Sequence, residues 1–149
     1  MIDREAVNGA GPVLGLDLGD ARIGVALSDP DRRLAVPIGT VHVGQPPGEL
    51  KAVAALVAEH RAVLVVLGHP RSMSGGSGPR ARHAEAFADA LRAILPVPVE
   101  LQDERLSTVE AERTLAAAGT RGRAARERVD AVAASVILQA WLDARNAAI

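Results

Sequence analysis

Apolar residues in the stretch Val13–Asp29, VLGLDLGDARIGVALSD, alternate with period two, as they do in strands whose faces meet different surroundings. Leu14, Leu16 and Leu18 share one face, and Val13, Gly15, Asp17 and Gly19 share the other. A tight turn through Gly19-Asp20, its glycine free to take a positive φ, leads into a second strand at Ile23–Ser28. Leu34–Val43 predicts a third strand. Pro37 inside it cannot donate to a ladder and so places it at a sheet edge. The Gln45-Pro46-Pro47-Gly48 group breaks the chain before a helix at Glu49–His60, where Leu50, Val53, Ala54 and Val57 recur at helical spacing. Ala62–Leu67 (AVLVVL) is an unbroken apolar run, suited to a parallel strand covered on both faces.

Gly68–Pro79, GHPRSMSGGSGP, reads as a mobile loop at the end of that strand, where open α/β sheets bind ligands. Pro79 opens a helix to about Leu95, with Ala84, Phe87, Ala88 and Leu91 on its inner face. Pro96–Gln102 is a fifth strand. Ser107 and Glu110 have capping-box spacing for a helix to Ala118, closed by Gly119. A short basic loop, Thr120–Arg128, precedes a last helix, Glu127–Arg145, that buries Val132, Ala133, Val136, Ile137, Ala140 and Trp141. Strands and helices in this order imply one mixed five-stranded sheet flanked by helices, a single α/β domain over residues 13–145 behind a loose leader, Met1–Pro12.

Composition narrows the chemistry. The 149 residues suffice for one core, which must be aliphatic because Phe87 and Trp141 are the only aromatic residues. A net charge of −1 argues against a protein that coats nucleic acid, but not against one that grips a few phosphates. Lys51 is the only lysine; the arginine-rich positive charge is either a base-composition bias or a choice of the planar fork that suits phosphate. The absence of cysteine excludes disulfides, thiolate metal sites and a cysteine nucleophile. No signal segment or membrane-length apolar run is evident, so a cytoplasmic protein is expected.

Three carboxylates stand out by context. Asp17 lies mid-strand, where an ionised group is costly unless donors or a cation meet it. It either hydrogen-bonds the turn amides of Gly19–Ala21 or ligates a metal. Asp103-Glu104, at a strand end, are either exposed turn residues, partners of Arg105, or ligands. Asp130, placed in the first turn of the last helix, either favours the positive helix end or joins them. Together, acids at the carboxyl ends of adjacent strands and at a helix start would hold one or two hard cations, Mg²⁺ or Mn²⁺. Metal-assisted phosphodiester cleavage has that requirement. Arg22, Arg71, Arg80, Arg123 and Arg126 are the basic groups expected around such a site, with Gly75 and Gly76 forming a loop that closes on a nucleic-acid backbone. His69 is a further candidate to line it.

The segments LGLDLGDARIGVALSD, VVLGHPRSMSGGSGPRA, DERLSTVEAERTL and VDAVAASVILQAWLD resemble, in order, the four blocks of the YqgF/RuvX family. The resemblance covers nearly all of Val13–Asp143. It implies an RNase H-like (RuvC-like) fold and a nuclease for the 5′ end of pre-16S ribosomal RNA. The alternative it implies is a Holliday junction resolvase acting on four-way DNA. Carried over residue by residue, Asp17, Glu104 and Asp130 become the catalytic, metal-binding acids, with Asp103 adjacent. In the resolvases the middle acid lies on the preceding strand; here Ala62–Leu67 has none, so Glu104 must reach in from the next strand. The partners implied are precursor rRNA or branched DNA, ribosomal particles, and a second copy of the chain, with no membrane. Two rivals remain: a noncatalytic nucleic-acid-binding module on the same fold, and an actin/Hsp70-type ATPase, against which the length counts.

Overall fold

The computed structural model describes residues 9–44, 47–70, 78–104 and 122–147. They form β1 (Val13–Leu18), β2 (Arg22–Ser28), β3 (Ala35–His42), α1 (Gly48–His60), β4 (Leu64–His69), α2 (Pro79–Ile94), β5 (Val99–Asp103) and α3 (Arg123–Ala147). The strand order is β3-β2-β1-β4-β5. The first three strands are antiparallel neighbours, while β4 joins β1 and β5 joins β4 in parallel. The mixed five-stranded sheet expected from the sequence is the one that forms. Pro37 does lie on the edge strand, beside a break in register between Val25 and Ala26.

Each face of the sheet has its own aliphatic cluster. Leu14, Leu16, Val65 and Leu67 pack against Val53 and Val57 of α1 and Ala84, Phe87 and Leu91 of α2. Val13, Leu64 and Val66 pack on the opposite face against Ile137, Leu138 and Trp141 of α3. Because β4 is covered on both faces, its sequence has no polar partner in the alternation. Trp141 is buried, with the Arg145 guanidinium 4.7 Å above its ring, and Arg145 bonds Glu100 of β5.

Helix α3 packs against the sheet where glycines face it. A Cβ at Gly15 would stand 2.7 Å from Cβ of Leu138, and one at Gly68 would stand 2.7 Å from Cδ1 of Ile137. A Cβ at Gly24 would collide with the main-chain carbonyl oxygen of Asp130. The contacts at Gly15 and Gly24 are with a Cβ and with main chain, which cannot rotate away, so these two glycines set the helix–sheet distance. At Gly68 the atoms met are side-chain ends that can shift.

Two local expectations are corrected. The segment read as a basic loop is helical from Arg123, and the Arg126 amide donates to the Gly122 carbonyl at 3.2 Å. Alanine, arginine and glutamate are all good helix formers, and a run of positive charge does not break a helix by itself. Gly19 does not take a positive φ. Its amide donates to the Arg22 carbonyl at 3.0 Å, and a Cβ there would stand 2.7 Å from that oxygen, so close approach and not backbone conformation requires glycine. The leader through residue 8, most of the glycine loop (71–77) and the helix expected at Ser107–Ala118 lie outside the described residues. No helix among the described residues is long and apolar enough to cross a membrane.

The β2–β3 turn is held by Asp29, whose Oδ1 accepts from the amides of Leu34 (2.9 Å) and Arg33 (2.8 Å). Those bonds, the Leu34 amide first, hold its carboxyl below the usual aspartate range. A lowered folded-state pKa contributes stability above the ordinary value and loses it as pH falls through the lowered one. Asp29→Ala is therefore expected to destabilise the protein at neutral pH, with the difference from wild type closing in acid. Urea midpoints measured against pH check this.

Candidate active site

Strand alternation sends Asp17 toward α3, on the same face as Val13 and Gly15, where it is only 6% exposed. Its register partner across the antiparallel ladder is Gly24. On the parallel side, Leu16 pairs with Leu67, so the next step along each strand brings Asp17 level with Gly68. Asp17 thus stands between two glycines in a row across three strands, roughly one strand spacing of ~4.8 Å from each.

The other two acids stand over those glycines. The Asp130 main chain rests directly on Gly24. Glu104, immediately after β5, leans back across β4: its Cδ lies 3.3 Å, and its Oε2 3.4 Å, from where a Gly68 Cβ would be. On β4 the position level with Asp17 is a glycine, and the space above it is taken by Ile137 Cδ1 and the Glu104 carboxylate. All three acids expected from the sequence share the α3 face, at the carboxyl ends of the parallel strands. Asp130 is not in the first turn of its helix, as the sequence suggested. With α3 starting at Arg123 it lies two turns in, which removes the positive helix end as its reason for being there.

Arg22, first residue of β2, donates from Nε to Asp130 Oδ2 at 2.7 Å. Both side chains are about one-fifth to one-quarter exposed, at 21% and 25%. Arg126 is exposed one helical turn before Asp130 and so borders the same end of the site. Arg80 is exposed at the start of α2, which packs on the opposite face of the sheet, so the structure does not gather it with the acids. Arg71, Gly75, Gly76 and the Arg123 side chain lie outside what is described. His69 likewise does not join the acids. It follows Gly68 and so faces the α2 side, where its Nε2 is 3.1 Å from Glu85 Oε1. Asp103, the register partner of His69, shares that opposite face.

Hard carboxylate oxygens with a glycine-cleared space between strands suit a small divalent cation chemically. As the side chains are placed, however, no three His, Asp or Glu among the described residues stand together as a metal-ligand set. One of the acids, Asp130, is instead held by Arg22. The residues that the sequence did not single out are Gly24 and Gly68. Their signal was a small residue on the same strand parity as Asp17.

A mixed sheet in this order, with α3 crossing one face, is the RNase H-like arrangement of the RuvC nucleases. Thermus thermophilus RuvC, solved in complex with a Holliday junction substrate, superposes with a TM-score of 0.55 at 17% identity, over 91% of this chain and 96% of that one. The fowlpox virus Holliday junction resolvase gives 0.51 at 14% identity, over 89% and 99%. At such identities the likeness speaks for the fold. The family follows from sequence: a profile described as "RuvX: Holliday junction resolvase" matches residues 11–144, and the chain belongs to that RuvX family. A relative from Mycolicibacterium paratuberculosis is 50% identical over 141 residues, covering 94% of this chain and 84% of its own. One from Chloroflexus aggregans is 47% identical over 134 residues, covering 90% and 94%. Both carry the name "Putative pre-16S rRNA nuclease".

Proposed function

We propose that this chain is a divalent-metal-dependent endonuclease that hydrolyses phosphodiester bonds at the 5′ end of precursor 16S rRNA, in the cytoplasm and on or near ribosomal particles. The observation that carries the reading is the row Gly24–Asp17–Gly68, with Asp130 over one glycine and Glu104 over the other. An acid buried in a strand between two further acids adds nothing to apolar packing, and its charge is kept there only with donors or a cation beside it. Asp17, Glu104 and Asp130 would hold Mg²⁺ or Mn²⁺. Such an ion, when bound, supplies activated water and neutralises charge on the phosphate. The chain's own work is to fix the three carboxylates on a rigid face and to bring a phosphate up to them with Arg22 and Arg126; Arg71, Arg80 and Arg123 are the further arginines proposed to contact the substrate. Gly75 and Gly76 are proposed as substrate-backbone contacts.

Phe87 and Trp141 are both buried, so neither is free to stack on bases, and preference should follow backbone shape more than sequence. With roughly 3 to 5 phosphate contacts, the log–log slope of affinity against salt is expected near −2 to −4. Filter binding across a salt series measures it, and a slope like that of a large basic protein would contradict a local grip. The family's description favours a second substrate, the four-way DNA junction. Cleavage of matched panels (5′-extended 16S precursor, single-stranded RNA, duplexes, four-way junctions) with Mg²⁺ or Mn²⁺ decides between them. Cleavage of the precursor at its 5′ side supports the reading; cleavage of junctions alone moves the assignment to resolvase. Binding without cleavage on every substrate would leave a noncatalytic module.

A further inference from the structure

The Arg22–Asp130 pair joins residues 108 positions apart in sequence, and both are fixed by rigid elements. Arg22 opens β2, and Asp130 is wedged on Gly24, two residues further along the same strand and on the same face. The geometry of the bond is uneven. Arg22 uses its Nε edge on Asp130, while its two terminal nitrogens make no hydrogen bond with any described residue. A guanidinium can bind two anions at once, one on each edge, and its fork of terminal nitrogens is the edge that best fits a phosphate.

We propose that Arg22 is a resident counter-cation that competes with the divalent ion for Asp130, and that an incoming phosphodiester relieves the competition by drawing the guanidinium away through its terminal nitrogens. The inference rests on the reading of Asp130 as a metal ligand. Among the described residues no three acids stand together as a ligand set, and Asp130 already has a cation beside it. While Arg22 holds Asp130 Oδ2 at 2.7 Å, its positive charge opposes a cation at the same carboxylate, and the opposition ends when the guanidinium leaves. Metal alone then binds weakly, and metal and nucleic acid bind better together than apart. Linkage makes the effect reciprocal, so Mn²⁺ must tighten nucleic-acid binding by the factor by which nucleic acid tightens Mn²⁺. The arrangement would keep an acidic site electrically quiet until a backbone is present to be cut.

The test is Mn²⁺ affinity, read from the free-ion electron paramagnetic resonance signal without nucleic acid, for wild type, Arg22→Gln and Arg126→Gln. The two variants remove the same charge at the same end of the site, but only the first frees Asp130. Arg22→Gln is expected to tighten Mn²⁺ by about 5-fold or more, the scale of ordinary site–site coupling, and Arg126→Gln by less than about 2-fold. Adding a non-cleavable 2′-O-methyl RNA should then tighten Mn²⁺ binding to wild type much more than to Arg22→Gln. Arg22→Met, close in volume and uncharged, replaces the glutamine variant if circular dichroism shows that it has not folded. Equal shifts in the two variants would mean bulk electrostatics and would overturn the proposal; so would weaker Mn²⁺ binding in Arg22→Gln. Either failure, with Mn²⁺ still bound by wild type, leaves the nuclease reading standing. If no form binds Mn²⁺ with or without RNA, that reading falls together with this one.

Discussion

Asp17→Asn is expected to abolish cleavage while leaving the protein folded, with a melting temperature equal to or a few degrees above that of wild type. The substitution keeps the side chain's shape and removes one negative charge from between Glu104 and Asp130. Asp17 is 6% exposed in the middle of that row, so its charge is the one least screened by water. Loss of a ligand that stabilises transition-state charge by several kcal/mol corresponds to a fall of roughly 10³-fold or more in turnover. The repulsion relieved in the metal-free protein is worth about 1 kcal/mol at most, or roughly 2–4 °C in a chain of this size. Single-turnover cleavage and differential scanning calorimetry on the same preparation separate the two effects. Wild-type turnover in this variant would end the assignment of the site.

The second large effect is expected at Gly24. An alanine there cannot be accommodated by rotating a side chain, because the atom it meets is the main-chain oxygen of Asp130. Helix α3 must move outward or the strand must bend, and overpacking of that kind costs about 3 kcal/mol. The melting temperature should fall by roughly 6–12 °C. Cleavage should fall even at temperatures where the protein stays folded, since displacing a site residue by ~1 Å costs on the order of 10²-fold. Gly44→Ala is the matched control: nothing lies within 4 Å of its added Cβ, and stability should stay within about 0.5 kcal/mol of wild type. Urea denaturation and turnover of both variants give the comparison. If Gly24→Ala is as stable and active as wild type, the close seat of α3 is not what positions Asp130.

Much of this arrangement was legible in the sequence, because strand parity carries information over long stretches. The alternation in VLGLDLGDARIGVALSD put Asp17 opposite the leucine face, and Pro37 marked the edge strand by chemistry alone. The same parity held what was missed. Gly68 and His69 are neighbours on β4, so once Gly68 faces α3 the imidazole must face α2, and His69 could not have lined the acid row. The start of α3 was hidden for a different reason. Charge density at Arg123–Arg128 suggested a solvated loop, whereas helix propensity and the burial of Ala125 and Val129 decide the matter. Gly24 looked like an ordinary strand glycine, since only the approach of a helix from more than one hundred residues away explains it. The Arg22–Asp130 bond left no local trace at all, for no periodicity links two residues on different elements.

The central claim, that Asp17, Glu104 and Asp130 form one divalent-ion site for phosphodiester cleavage, is tested most directly by anomalous diffraction. Crystals would be grown with Mn²⁺ and a non-cleavable RNA and measured at the manganese edge. The expected result is an anomalous peak in bonding contact with all three carboxylates, with the Arg22 guanidinium turned from Asp130 to a backbone phosphate. A peak seated elsewhere, or no peak while Arg22 still bonds Asp130 beneath bound RNA, would contradict it.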